Sequence, residues 1–203
     1  MKIELHHGDL PDSLTFADAV AVDTETAGLN LWRDRLYMVQ LSAGDDTAHL
    51  VKFDGRDYSA PRLKSLFTNP DILKIFHFAR FDVAAIQKNF GVTTSPIYCT
   101  KIASKLSRTY TDRHGLKDLC RDLLGVDLSK QQQMSDWGAE SLSRDQLNYA
   151  ASDVLYLHNL KARLDKMLER GQRGPLAQAC FDFIPTRTAL DLAGWADSDI
   201  FEH

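Results

Sequence analysis

The sequence predicts an α/β fold, in which strands and helices alternate along one chain. Short apolar runs of strand length dominate the first third, and amphipathic helical patterns dominate from about residue 61 onward. No repeat, low-complexity tract or linker interrupts the 203 residues, of which 44% are hydrophobic. We therefore expect one domain over residues 1–203, with residues from about 175 to 203 as an appended helical element that serves assembly.

Each element has its own signal in the sequence. Apolar and β-branched runs predict strands at 19–23, 36–42, 48–53 and 72–76. Helical spacing follows at 61–68, 79–90, 99–107 and 115–124, where Gly125 ends the last of these helices. A capping box from Ser143 to Gln146 starts a helix that runs to about Arg170, before Gly171 and Gly174 break the pattern.

Composition excludes several classes of protein. No stretch approaches the roughly 20 apolar residues that span a bilayer, and the N-terminus lacks the apolar region of a signal peptide, so we expect no membrane partner. Three widely spaced cysteines predict neither a disulfide framework nor a zinc ribbon, and favour a reducing cytoplasm. The net charge of -4 argues against a grip on long duplexes, so a nucleic-acid substrate would be short.

Asp23 and Glu25 stand at the end of the first strand, two residues apart. Alternation along a strand places both carboxylates on one side and Val22 and Thr24 on the other. A polar strand end beside the turn at Gly28 would also explain them.

Asp82 lies in the middle of an apolar helical stripe that includes Phe78, Phe81 and Ala85. An uncompensated buried carboxylate costs several kcal/mol, so Asp82 needs a cation or strong donors. A buried ion pair with Arg80 is the structural alternative.

Asp153 lies one helical turn after Tyr149, on the same helix face. Such a pair can serve packing alone. Four acids from distant segments that share a pocket would instead require neutralisation, which two Mg²⁺ (or Mn²⁺) ions supply through oxygen-only ligands. Two such ions can clamp the attacking and leaving oxygens of a phosphoryl displacement.

In this order, these residues resemble the motifs of the DEDD exonuclease superfamily. Asp23-Thr-Glu25 is similar to its first motif, the stretch from Phe76 to Asp82 to its second, and Tyr149-Ala-Ala-Ser-Asp153 to its third. The resemblance implies an RNase H-like fold with a mixed central sheet flanked by helices. It also implies 3′-5′ hydrolysis of phosphodiester bonds, with Asp23, Glu25, Asp82 and Asp153 as metal ligands and Tyr149 orienting the attacking water.

Residues 39–42, 130–137 and 142–154 resemble RNase D more closely. Two departures matter: no Arg-Pro follows Trp137, and we expect none of the helical RNA-binding domains that follow the nuclease domain in full-length RNase D. Residues 100–117, the glutamine run and the Phe-Ile-Pro-Thr-Arg tail resemble nanoRNase C, a bacterial family of octamers that degrades very short RNAs, above all 5′-phosphorylated dinucleotides.

Further residues are candidates for contact with the substrate. The resemblance implies that Leu29 wedges against the terminal base, although packing in a turn would explain it as well. Gln40 is a candidate for a bond to a ribose or to a ligand carboxylate, or for a structural role. His77 is interpreted as a core histidine with satisfied hydrogen bonds.

A dense basic cluster lies between the second and third motifs, and a solvated helix face would also explain it. We expect it to hold a 5′-phosphate or the RNA backbone. Its members are Lys101, Lys105, Arg108, Arg113, His114 and Lys117.

The C-terminal segment is rich in apolar residues, including Phe181, Trp195 and Phe201. We expect it to build a subunit interface in a homo-oligomer, whereas ordinary closure of the core is the alternative.

Several rival functions share these motifs. The acids fit an RNase D-like trimmer of tRNA or other long RNA 3′ ends, or a DNA exonuclease, as well as an enzyme for dinucleotides. A catalytically inactive module that binds nucleic acid is a different class, and the intact acids and Tyr149 argue against it.

Overall fold

The computed structural model describes residues 1–128 and 135–203. Its strands are β1 Lys2–His7, β2 Ala19–Thr26, β3 Leu36–Ser42, β4 Thr47–Lys52, β5 Leu73–Phe76 and β6 Ile97–Cys99. Its helices are α1 Pro61–Thr68, α2 Ala79–Phe90, α3 Thr100–Ser107, α4 Leu116–Leu119, α5 Arg144–Leu155, α6 Leu157–Arg170 and α7 Gly174–Leu190. Two π-helical stretches, Cys120–Leu124 and Asp191–Trp195, continue α4 and α7.

The strands form a mixed sheet in the order β1-β4-β3-β2-β5-β6. β3 pairs antiparallel with β2 and with β4, whereas the β1–β4, β2–β5 and β5–β6 pairs are parallel. The α/β class and the mixed sheet flanked by helices are thus confirmed. β1 and β6 add to the four strands that the sequence predicts.

Two predicted helices differ from the structure. The pattern at 115–124 forms one α-helical turn, α4, and then a π-helical stretch. The predicted helix from 143 to 170 breaks at Tyr156 into α5 and α6, because α5 packs on β2, β3 and β4 whereas α6 packs mainly on α3. The capping box at Ser143 is present.

β2 lies at the centre of the sheet and of the core, and Val20, Ala21 and Val22 are fully buried. Helix α5 packs on the β2–β3–β4 side of the sheet, and α2 packs on β2, β5 and β6. The two helices that carry Asp153 and Asp82 therefore both contact the strand that carries Asp23 and Glu25.

The C-terminal residues pack on the body of the fold through α7, which contacts α2, α3, α6 and β6. Phe181 is buried, with its ring centroid 4.7 Å from that of Tyr98. The assignment of Phe181 to a subunit interface is therefore wrong, because this side chain closes the core. Trp195 and Phe201 remain exposed.

Among the described helices, none combines the length and apolar character that crossing a membrane would need.

Candidate active site

The carboxylates of Asp23, Glu25 and Asp153 lie close together. Each side chain offers one oxygen atom, and the three oxygen atoms lie within 4.8 Å of one another. Asp23 and Glu25 come from the end of β2, and Asp153 comes from the third turn of α5. The prediction that Asp23 and Glu25 point to the same side therefore agrees with the structure.

Asp82 joins this group from the first turn of α2 and is only 4% exposed. Its Oδ1 accepts a hydrogen bond of 2.7 Å from Thr24 Oγ1. The alternative partner is excluded, because both Arg80 Nε and a terminal nitrogen of Arg80 donate to Asp191 over 2.7 Å. Asp82 is thus a buried carboxylate with one hydroxyl donor and no cationic partner in the described structure.

Burial raises the pKa of all four carboxyl groups, and the charges of neighbouring acids add to the shift at Glu25, Asp82 and Asp153. The pKa of Asp23 rises to about 7. The pKa of Glu25 is raised by burial first and then by Asp23, Asp153 and Asp82. Burial and the charge of Asp23 raise the pKa values of Asp82 and Asp153. The four acids therefore form one electrostatic unit that a cation would stabilise.

Tyr149 lies one turn before Asp153 on α5, and its ring centroid is 6.1 Å from that of Trp137. A hydrogen bond from the Tyr149 hydroxyl lowers the pKa of Asp153. Burial and the nearby charges of Asp153 and Glu25 raise the pKa of Tyr149 above its usual range. The hydroxyl therefore keeps its proton at neutral pH and acts as a donor that positions its partner.

These acids line an open cleft with a volume of about 760 Å³. The same cleft is also lined by Leu29, Phe78, Lys101 and Lys117. Leu29 is 84% exposed, which excludes the alternative that it packs in a turn. Its contact with a terminal base stays a prediction.

The prediction that Phe78 belongs to the apolar stripe of α2 is wrong. Phe78 is the N-cap residue of this helix and does not pack under it. Its φ of 68° lies in the left-handed region, which is unusual for a bulky residue, and its side chain is 46% exposed. The Lys101 ammonium lies 4.2 Å from the centre of the Phe78 ring. The strained backbone thus turns an aromatic face and an adjacent cation toward the cleft.

His77 also lines the cleft, and its Nδ1 lies 2.9 Å from the hydroxyl of Thr100. Burial, together with the charge of Lys101, lowers the pKa of His77 to about 3. The imidazole is therefore neutral and hydrogen-bonded, as predicted, but it lies at the cleft and not in the core.

The basic cluster divides between the cleft, a neighbouring groove and the interior. Lys101 and Lys117 line the cleft, and Lys105 lies in an adjoining groove that shares Phe78 and Lys101 with it. Arg113 is exposed outside both, and His114 is hydrogen-bonded to Ser104 over 2.8 Å.

Arg108 contradicts its prediction as a substrate contact. It is 2% exposed and donates to Asp122 over 2.6 Å and to the carbonyl oxygen of Arg113 over 2.8 Å. The i, i+4, i+7 spacing with Lys101 and Lys105 misled the prediction, because Arg108 follows the last residue of α3 and turns inward. Its guanidinium is a structural group.

The predicted contact between Gln40 and a ribose is also wrong. It is the register partner of Asp23 across β2 and β3, but it is fully buried and does not line the cleft. Within the described residues its amide atoms have no hydrogen-bond partner. The predicted bond from Gln40 to a metal-ligand carboxylate is therefore not formed either.

Cleft residues that the sequence analysis did not name as site residues include Thr24, Phe78 and Trp137. Thr24 lies between the two acids of the first motif, and Phe78 lies inside the second, so motif membership was their only signal. Lys130 to Met134 of the glutamine-rich signature lie outside the described residues.

Over residues 8–169 the sequence matches the 3′-5′ exonuclease family. Ribonuclease D of Acidiphilium cryptum is 35% identical over 162 residues, which are 77% of this chain and 41% of that protein. The chain thus spans about two fifths of the length of this relative.

Solved structures are similar over the whole chain. NrnC of Brucella melitensis is 58% identical with a TM-score of 0.96, covering 100% of this chain and 98% of that one. The same protein with bound Mg²⁺ is 56% identical with a TM-score of 0.95, covering 100% of both chains. Bound to pGG, it is 57% identical with a TM-score of 0.97, covering 100% of this chain and 99% of that one.

Proposed function

The chain belongs to the 3′-5′ exonuclease family, and from this premise we propose that it degrades very short RNAs, above all 5′-phosphorylated dinucleotides, to mononucleotides. It is an enzyme that hydrolyses phosphodiester bonds with the help of divalent metal ions. The Brucella melitensis protein that binds pGG is similar from end to end, which supports the dinucleotide as substrate.

Asp23, Glu25, Asp82 and Asp153 are the proposed ligands of two Mg²⁺ (or Mn²⁺) ions. The fit rests on the donor set: it consists of carboxylate oxygens alone, and three of them lie within 4.8 Å of one another. The raised pKa values point the same way, because they mark negative charge that the described residues leave uncompensated. When bound, such ions neutralise this charge, lower the pKa of a water molecule and stabilise a departing oxyanion.

The chain's own residues orient the reaction. We assign to the protonated Tyr149 hydroxyl the positioning of the attacking water, since its raised pKa makes it a poor base at neutral pH. Thr24 holds the Asp82 carboxylate by its hydrogen bond. The packing of Trp137 against the Tyr149 ring restricts the rotation of that ring.

The residues that line the cleft beside the acids suit a short nucleotide chain. Lys101 and Lys117 offer charged donors to a 5′-phosphate, and the exposed ring of Phe78 offers a stacking surface to a base. Leu29 would wedge against the 3′-terminal base. A volume of about 760 Å³ lies within the range of roughly 300–1,000 Å³ that small-molecule sites occupy.

One observation carries the dinucleotide proposal: the acids and the two lysines line a single cleft of small-molecule size. RNase D-like trimming of longer RNA is the rival function, and the 35% identity to ribonuclease D favours it as a second candidate.

Rates on 5′-phosphorylated RNAs of 2 to 20 residues, measured with Mg²⁺, separate the two functions. We expect kcat/KM to be highest for the 2-mer and to fall with length. The matched 5′-hydroxyl dinucleotide should react at least about tenfold more slowly, since it lacks one charge-assisted contact. Equal kcat/KM values for the 2-mer and the 20-mer, or for the phosphate and hydroxyl forms, would contradict the proposal. The same series made of DNA tests the DNA alternative.

We also propose that the enzyme is cytoplasmic. We further propose that it forms a homo-oligomer, with an octamer as the candidate assembly. Free cysteines at positions 99, 120 and 180 fit a reducing compartment. Exposed apolar residues near the C-terminus, Trp195, Ile200 and Phe201, fit a subunit interface. A monomeric mass in light scattering at micromolar concentration would contradict the oligomer.

A further inference from the structure

Two histidines and a glutamate converge on strands β1 and β4, in a cluster that does not overlap the catalytic acids. One ligand atom from each of Glu4, His6 and His49 lies within 4.8 Å of the other two. Glu4 and His49 are register partners across the parallel β1–β4 pair, and His6 follows Glu4 by two residues, on the same side of β1. The local sheet geometry therefore brings the three side chains together.

The distances match the edges of a tetrahedral metal site. His6 Nε2 lies 3.2 Å from His49 Nδ1, and His49 Nδ1 lies 3.3 Å from Glu4 Oε2. Zinc binds nitrogen and carboxylate oxygen at roughly 2.0–2.2 Å, which places neighbouring ligand atoms of a tetrahedron about 3.3 Å apart. Both measured separations have that length.

Protons alone do not satisfy these contacts. His49 Nδ1 is close to a nitrogen of His6 and to an oxygen of Glu4 at once. If Nδ1 carries a proton, it donates fully to only one of them; if it carries none, it accepts the hydrogen bond from His6 Nε2, and the Glu4 oxygen 3.3 Å away receives no donor from His49. A cation between the three atoms satisfies all of them.

The surroundings favour the protonation states that a metal requires. Burial lowers the pKa values of His6 and His49, so both imidazoles are neutral at pH 7. The Glu4 carboxylate is ionised because the hydrogen bond from Lys2 lowers its pKa. Lys2 contacts Oε1, which leaves Oε2 directed at His49.

We propose that Glu4, His6 and His49 form a binding site for Zn²⁺ or a similar transition-metal ion, separate from the catalytic metals. Two imidazoles and one carboxylate select zinc over Mg²⁺, which prefers oxygen ligands only. Three protein ligands leave a fourth position for water. The ion joins the edge strand β1 to β4 and stabilises that edge of the sheet.

The site is tested by titrating the whole protein with Zn²⁺ in excess Mg²⁺, by calorimetry, and with Co²⁺ by visible absorption. We expect one tightly bound Zn²⁺ and the intense bands of tetrahedral Co²⁺, which an all-oxygen octahedral site does not give. Glu4→Gln and His6→Gln should each weaken Zn²⁺ binding at least tenfold and remove the intense bands.

His7→Gln is the matched control, because His7 is the next residue on β1 but pairs with Asp54. It should bind Zn²⁺ as the wild type does, and circular dichroism should show that all variants are folded. Zinc binding unchanged in folded Glu4→Gln and His6→Gln proteins, or only the weak bands of octahedral Co²⁺, would overturn the proposal. Retained Mg²⁺-dependent hydrolysis in these variants separates this outcome from failure of the exonuclease site.

Discussion

The hydroxyl of Thr24 donates a 2.7 Å hydrogen bond to Oδ1 of Asp82, joining the central strand β2 to the first turn of α2. Thr24 lies between the two acids of the first motif, so a residue without charge connects them to the acid of the second. The bond lowers the pKa of Asp82 against the effect of its burial.

The first prediction concerns this hydrogen bond. Thr24→Val should raise the Mg²⁺ concentration for half-maximal activity by about tenfold, since a hydrogen bond to a charged group contributes roughly 1.5–3 kcal/mol. Thr24→Ser retains the hydroxyl and serves as the control. An unchanged Mg²⁺ dependence in the valine variant would contradict a positioning role for Thr24.

The second prediction concerns the acids themselves. Asp82→Asn and Asp153→Asn should each lower kcat by about a hundredfold or more, because even residues that only support metal ligands contribute 10–100-fold. Initial rates on a 5′-phosphorylated dinucleotide at saturating Mg²⁺ measure this effect. Wild-type activity in either variant would remove that acid from the ligand set.

The third prediction is a pH dependence of the metal-free protein. Folding raises the pKa of Asp23 from 3.8 to about 7, so the folded state holds a proton that the unfolded chain has released. The stability from this group is therefore fully present below about pH 4 and is lost as the pH rises through 7. In EDTA, the melting temperature should fall between pH 5 and pH 8.

Mg²⁺ should stabilise the protein more strongly at pH 8 than at pH 5, because protons and cations compete for the same oxygens. Asp23→Asn provides the control, since it removes this titration and should flatten the pH profile in EDTA. A metal-free melting temperature that rises with pH across this interval would refute the assignment.

The fourth prediction separates positioning from base catalysis at Tyr149. Tyr149→Phe should lower kcat by about 10- to 100-fold at saturating Mg²⁺, at the lower end of what proton-transfer groups contribute. Because the pKa of Tyr149 is raised, the wild-type rate should show no tyrosine ionisation between pH 7 and pH 9. A rate that rises across this range in the wild type but not in the variant would indicate a general base instead.

The fifth prediction follows from the burial of Arg108. Arg108→Ala should lower the free energy of unfolding by roughly 2 kcal/mol, because it removes a buried side chain and its hydrogen bonds to Asp122 and to the carbonyl oxygen of Arg113. Lys105→Ala, an exposed substitution on the same helix, should change it by less than about 0.5 kcal/mol. Urea denaturation of the three proteins gives these values, and equal stability of both variants would show that Arg108 is not structural.

The helices with a regular amphipathic period were the elements that the sequence predicted best. The bounds of α1 and α2 agree with their predicted ranges, since Pro61 and Gly91 punctuate clear amphipathic patterns. It also identified the acids that converge, because a charged residue within an apolar pattern conflicts with burial and so demands a partner.

Strands β1 and β6 escaped prediction for opposite reasons. β1 is an edge strand whose histidines and charges hide its alternation, and β6 has three residues, too few for a pattern. The break at Tyr156 depends on which elements α5 and α6 pack against, and neither glycine nor proline marks it.

Side-chain direction was the other limit. Arg108 satisfies a helical spacing with Lys101 and Lys105, yet it lies just beyond the end of the helix, where that spacing no longer applies. The left-handed backbone of Phe78 has no sequence signal, because the same residue inside a helix would pack in the core.

The ion pair between Arg80 and Asp191 has a consequence for how relatives of this chain are compared. Arg80 stands two residues before Asp82, so a carboxylate more than a hundred positions downstream anchors the helical turn that carries this proposed metal ligand. A homologue that retains every acid but has lost its counterpart of Asp191 would match all three motifs, yet its counterpart of Asp82 would be less firmly positioned. Classification of family members as active or inactive should therefore consider the residue at the position of Asp191 together with the motifs.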